Sequence, residues 1–100
     1  MSNEGAVSSL EEVRSNIDRI DREIVRLMAE RSGYVLQAAR FKVSETDVEA
    51  PARVEAVITK IRPLASDEGL SPDIAEAVYR TMINSFIAQE KQDFRSASQE

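Results

Sequence analysis

Arg31, Lys42 and Glu90 stand on helical faces that are otherwise apolar, and they are the residues most able to do chemistry. Arg31 lies four residues after Leu27 and three before Tyr34, and Lys42 follows Ala38 by four, so both fall in register with core positions. Eleven residues separate them, about three turns, which on one continuous helix sets them on the same face roughly 16 Å apart. Two long cationic side chains leaning toward each other could clasp one small anion. The alternatives are a buried arginine paired with a carboxylate of the protein and a helix-end lysine reaching water. Arg53 adds a third cation if the segment before it folds back beside the first helix. Arg14 borders the same stripe beside Val13 and Ile17, yet 17 residues lie between it and Arg31. That is about 25 Å along a straight helix, too far for both to hold one small ligand within a chain, so a site using Arg14 must take it from a partner chain. Glu90, four residues after Phe86 and four before Phe94, is the complementary anomaly. It is either paired with one of these cations, the favoured reading, or kept protonated by desolvation.

The elements that must position these groups follow from periodicity and punctuation. Ser9 and Glu12 form an S-x-x-E start signal, and apolar residues then recur at Leu10, Val13, Ile17, Ile20, Ile24, Leu27, Tyr34, Ala38 and Phe41. One helix of about 30 residues is predicted, with only Gly33 inside it. A domain of this size cannot wrap so long a stripe in its own core, so part of it is expected to meet a second copy in a homodimer. Residues 43 to 50 read as a loop ending before Pro51, the expected first residue of helix 2, which carries Val54, Val57, Ile58, Ile61 and Leu64 inward. Pro63 is expected to kink or end that helix, and Gly69 to supply its left-handed exit. Ser71 caps helix 3 with Pro72 in its first turn, and the expected buried face is Ile74, Val78, Tyr79, Met82, Ile83, Phe86, Ile87 and Phe94. The predicted fold is all-α, with a long helix 1 and shorter helices 2 and 3. A flexible N-terminus covers residues 1–8, the helical domain 9–95, and a polar tail 96–100.

Composition narrows the chemistry. The chain has 100 residues, 42% hydrophobic and 31% charged, with three Gly and three Pro, an ordinary balance for one helical domain and too few turn residues for an all-β one. With neither Cys nor His, thiolate and imidazole nucleophile, base and zinc chemistries are excluded, and no metal site is expected. A net charge of −5 argues against nucleic acid and anionic membrane surfaces as partners. The first twenty residues lack a signal-peptide core and no stretch is apolar enough to span a bilayer, which points to the cytoplasm.

Arg14 followed by SNIDRIDREIV, then Arg31, Lys42 within RFKVSE, and Arg53 within APARV together resemble the all-α chorismate mutase class, most closely its isochorismate pyruvate-lyase branch. The resemblance covers about residues 10 to 95 and rests on the joint spacing of the four cations. It implies three helices per chain in an intertwined homodimer with two active sites, each receiving one arginine from the neighbouring chain. Arg14 matches that arginine. It also implies that Arg14 of the partner and Arg31 bind the two carboxylates of a small dicarboxylate substrate. Lys42 would donate to the enolpyruvyl ether oxygen, Arg53 would support binding, and Glu90 would occupy a position that usually holds Gln, a second donor to that oxygen.

Three positions depart from the typical mutase. Ala50 replaces an acidic residue, Val54 replaces a Glu, and Phe86 replaces a small hydroxyl residue. The lost polar groups are ones that typical mutases use around the ring hydroxyl and a carboxylate, and the lyase branch shares the more apolar pattern. Both reactions implied are pericyclic and need no nucleophile, metal or cofactor. Catalysis then consists of holding a reactive conformer and stabilising charge on the breaking ether bond, with residues Ser44 to Ala50 as the expected lid. A lyase is the first reading, a chorismate mutase of aromatic amino-acid synthesis the second, and a non-catalytic helical dimer the third.

Overall fold

The computed structural model of this chain describes residues 8–44 and 49–98. Three α-helices, α1 (Leu10–Ala38), α2 (Pro51–Asp67) and α3 (Pro72–Ser98), are joined by a 3₁₀ turn at Ala39–Phe41 and short connections, with no strand among the described residues. The all-α expectation holds. Helix α1 is the longest at 29 residues, but α3 nearly equals it at 27 because it continues through residues 96–98, where a loose tail is expected. The expected leader lies outside the described residues except for Ser8, and the expected lid is described only at Ser44, Glu49 and Ala50. No helix among the described residues is long and apolar enough to cross a membrane.

The chain forms two compact units, Met1–Val35 and Leu36–Glu100. In the first, α1 starts as its sequence dictates: the Glu12 backbone N–H donates to Ser9 Oγ at 3.1 Å, and the Ser8 hydroxyl donates to the Glu12 carboxylate at 2.6 Å. Glu11 and Glu12 place negative charge at the positive helix end. No residue of α1 is buried, and its apolar stripe is open along its length, with Ile17 50% and Ile24 48% exposed.

In the second unit α2 packs against α3. Val57, Ile58 and Ala65 of α2 meet a core completed by Ala75, Met82 and Ile83 of α3. Two expectations are corrected here. The seam follows Ile58 to Ala65, seven residues on, so Leu64 falls to its open side and is 52% exposed. On α3 the seam runs through Ala75, Met82 and Ile83, spaced i, i+7 and i+8, where the small Ala75 lets the helices approach; Ile74 and Val78 lie on the other edge of the stripe, exposed.

The helix ends match their punctuation. Pro51 opens α2. At its other end the Leu70 N–H donates to the Ala65 carbonyl at 2.8 Å and the Gly69 N–H to that of Ser66 at 3.1 Å, around Gly69 at φ 80°. Ser71 Oγ accepts from the Ile74 N–H at 3.4 Å. Pro63 does not end α2, which runs on to Asp67. The proline costs one backbone hydrogen bond, and the burial of Ala65 beyond it, together with the Gly69 closure, offsets that loss.

A chain of charges clasps α2 to α3. Arg62 donates to Asp73 (2.9 Å) and Glu76 (2.7 Å), and Arg80 donates to Glu76 (2.7 Å) and to both oxygens of Glu55 (2.8 and 2.9 Å). The hydrogen bonds from Arg80 hold the Glu55 carboxyl below its ordinary 4.5, and those from Arg80 and Arg62 do the same for Glu76. A carboxyl with a depressed folded pKa contributes stability that is fully present above its unfolded value and is lost as pH falls through the folded one. The urea midpoint should therefore hold steady at neutral pH and fall below about pH 4.5. Glu76→Gln should lower the neutral-pH midpoint and flatten that acid limb; an unchanged limb would show that the clasp does not contribute.

Candidate functional site

Lys42 is not helical. It caps the 3₁₀ turn in extended backbone (φ −98°, ψ 133°), its N–H donating to the Ala39 carbonyl at 3.1 Å. Helical spacing from Arg31 therefore does not extend to it, because the last turn tightens after Ala38 and the stripe runs out. Phe41, expected on that stripe, lies in the 3₁₀ turn and is 84% exposed. From this position the Lys42 ammonium donates to Glu90 Oε2 at 3.3 Å, with the side chains 20% and 12% exposed. Of the two readings of Glu90, the structure shows the paired one. A lysine carries three N–H donors and Glu90 engages one, so a partly desolvated cation retains donors for a ligand.

Glu90 also lines an open cleft of about 200 Å³ together with Leu36, Ala39, Asp93 and Phe94. One turn earlier on α3, Phe86 is half-buried and brings no polar atom from its side chain. Ala50 precedes Pro51 in the left-handed region (φ 40°, ψ 57°), an uncommon state for a residue with a Cβ, and its carbonyl accepts from the Val54 N–H at 3.0 Å. Val54 is half-buried and Arg53 exposed in the first turn of α2. Just before Ala50, the Glu49 carboxylate accepts from the Lys91 ammonium at 2.6 Å. That hydrogen bond and the lysine's charge hold the Glu49 carboxyl below its ordinary value.

In the other unit, Arg14 is exposed and Arg31 half-buried on α1, which is unbroken between them. The 25 Å estimate of their separation along the axis therefore stands. The structure brings Lys42 and Glu90 together and holds Arg14 and Arg31 apart. Asp93, Glu49 and Lys91 escape the sequence reading. Lys91 and Glu49 are 42 positions apart, and no periodicity marks such a pair. Among the described residues no group of acidic side chains is gathered closely enough to hold a metal ion.

The sequence pattern of the chorismate mutase type II family matches residues 13–91, a stretch that contains Arg14, Arg31, Lys42, Arg53 and Glu90. An isochorismate pyruvate lyase of Pseudomonas aeruginosa is 36% identical over 83 residues, covering 83% of this chain and 82% of that protein. The T-protein of Haemophilus influenzae is 33% identical over 87 residues, but this chain spans only 23% of its length. A chorismate mutase of Methanocaldococcus jannaschii is 28% identical over 87 residues, 86% of this chain and 88% of that protein. With residues 13–91 matched by the family's pattern, and a lyase 36% identical along most of both chains, the chain belongs to the chorismate mutase type II family.

Proposed function

We propose that this chain is an isochorismate pyruvate-lyase with weak chorismate mutase activity, working as an intertwined homodimer. The observation that carries the reaction class is the secluded Lys42 ammonium, held by Glu90 at 3.3 Å with donors to spare. Lyase over mutase is supported by the apolar Ala50, Val54 and Phe86 and by the 36% identity to a lyase over 82% of that protein.

In the reaction the bond from the ring carbon to the enolpyruvyl oxygen breaks. The hydrogen on the adjacent ring carbon moves to the terminal methylene carbon, which becomes the methyl group of pyruvate. The ether oxygen becomes the keto oxygen of pyruvate, and the ring closes its aromatic sextet as salicylate. No group on the protein forms a bond to carbon. The protein's task is to hold the conformer in which the hydrogen faces the methylene, and to stabilise negative charge on the departing oxygen. Lys42 donates to that oxygen. Arg31 and Arg14 of a partner chain bind the carboxylates, Arg53 adds positive potential, and Ala50, Val54 and Phe86 wall the ring.

Three observations support the dimer. The stripe of α1 is open, the rise of α1 separates Arg14 from Arg31, and a cleft of about 200 Å³ falls short of the ~300 Å³ at which small-molecule pockets begin.

Incubating the purified protein separately with isochorismate and chorismate tests the reading. Salicylate and pyruvate in equal amounts from isochorismate are expected, with slower formation of prephenate from chorismate. Prephenate alone would favour the second reading, a chorismate mutase, which the 28% identity along 88% of an archaeal chorismate mutase supports. Turnover of neither would leave a non-catalytic dimer in which Lys42 only neutralises Glu90.

Glu90→Gln refines the assignment. As a carboxylate, Glu90 can only accept hydrogen bonds and repels a dianionic substrate; the amide can accept from Lys42 with its oxygen while donating to the ether oxygen with its nitrogen. kcat/KM at neutral pH should rise severalfold. Abolished activity in a folded variant would mean that the carboxylate is needed to position Lys42.

A further inference from the structure

We propose that Lys91 is a positioning residue: its ion pair with Glu49 sets the first turn of α2, and with it Arg53 and Val54, against the Lys42/Glu90 pair. The inference rests on the reading of that pair as the centre of the reaction. Consecutive residues of α3 carry opposite charges and grip opposite ends of one segment. Glu90 holds Lys42, where the segment begins, at 3.3 Å, and Lys91 holds Glu49, where it ends, at 2.6 Å. Neighbouring positions on a helix point about 100° apart, so one turn of α3 reaches both ends without the two pairs competing.

What Lys91 fixes is the approach to Ala50. An alanine at φ 40° and ψ 57° persists only where its surroundings impose that state. Two restraints bracket it: Glu49 is anchored to Lys91 on one side, and the Ala50 carbonyl is held by the Val54 N–H on the other. Arg53 and Val54 lie three and four residues past Ala50, so a change at that backbone swings both. The Glu49 side chain is 50% exposed and that of Lys91 25%. Unlike the networked clasp of Arg62, Glu76, Arg80 and Glu55, a lone pair this exposed adds little to global stability, so the consequence of this one is geometric and should appear in substrate binding.

Two neutralising variants separate geometry from charge. Lys91→Gln removes a positive charge near an anionic substrate's site, and Glu49→Gln removes a negative one, yet both break the same tie. Each should raise KM for isochorismate about fivefold while kcat changes by less than about twofold, and Lys91→Arg should retain the wild-type KM. A through-space charge effect would instead lower KM in Glu49→Gln, and that result would overturn the proposal. The second readout needs no turnover. In the substrate-free protein, amide exchange at Val54 should quicken about tenfold in both Gln variants and not in Lys91→Arg, with exchange at Ile58 unchanged. Unchanged exchange at Val54 would overturn the tie, and quickened exchange with an unchanged KM would overturn its role in positioning. If the wild type turns over neither isochorismate nor chorismate, the catalytic reading fails by itself and exchange at Val54 still decides the tie.

Discussion

Lys42→Ala should lower kcat for isochorismate by about 10²- to 10³-fold, the usual cost of removing one preorganised donor to developing negative charge. KM should move far less. The ether oxygen gains charge only as its bond to the ring breaks, so a donor aimed at it binds the transition state more strongly than the substrate, and its loss appears in kcat. Seclusion strengthens the effect, since the Lys42 side chain is only 20% exposed and its field is poorly screened by water. The same seclusion complicates the variant, because truncating the lysine strands the Glu90 carboxyl, 12% exposed, without its partner. Lys42→Ala/Glu90→Gln removes the stranded charge and should melt closer to wild type, regaining no more than the severalfold that the introduced amide donor supplies. Wild-type kcat in either variant would refute the assignment of Lys42.

What could be read from the sequence was local. The start of α1 at Ser9, the Pro51 opening, the Gly69 exit and the Ser71 cap are each written within a few residues, and all four stand in the structure. That Glu90, a lone carboxylate on an apolar face, pairs with one of the site cations was legible, but which cation was not; the fold supplies Lys42, 48 positions away. The departures share a different origin. Lys42 leaves the helical register because α1 tightens into a 3₁₀ turn, and α2 does not end early at Pro63 because packing on α3 holds the residues after it. The choice of Ala65 over Leu64, and of Ala75 over Ile74, was made by the line along which two helices meet. Nothing in the sequence singles out Lys91 or Glu49, since each sits where a charge offends no pattern. Only the fold brings them within 2.6 Å.

Mixed dimers should recover activity that neither parent has. Arg14 and Arg31 lie on one unbroken helix, about 25 Å apart along its axis, so a substrate whose carboxylates need both must bridge two chains. Arg14→Ala and Arg31→Ala should each lower kcat/KM by about one to two orders of magnitude, the loss of a charge-assisted hydrogen bond to a carboxylate. When the two variants are unfolded together and refolded at equal concentration, about half of the dimers are mixed. In a mixed dimer one site combines the intact Arg31 of the first chain with the intact Arg14 of the second, while the other site lacks both. Recovery should therefore approach about a quarter of wild-type activity, and it should vanish when the variants are mixed without unfolding, unless subunits exchange freely. The wild-type unfolding midpoint should rise with protein concentration, as it must when folding and association are linked. Mixed dimers that form, as seen by mass spectrometry, yet recover nothing would place both arginines in the same chain's site or outside the site altogether. A fully active monomer at micromolar concentration would sink the dimer and the role of Arg14 together.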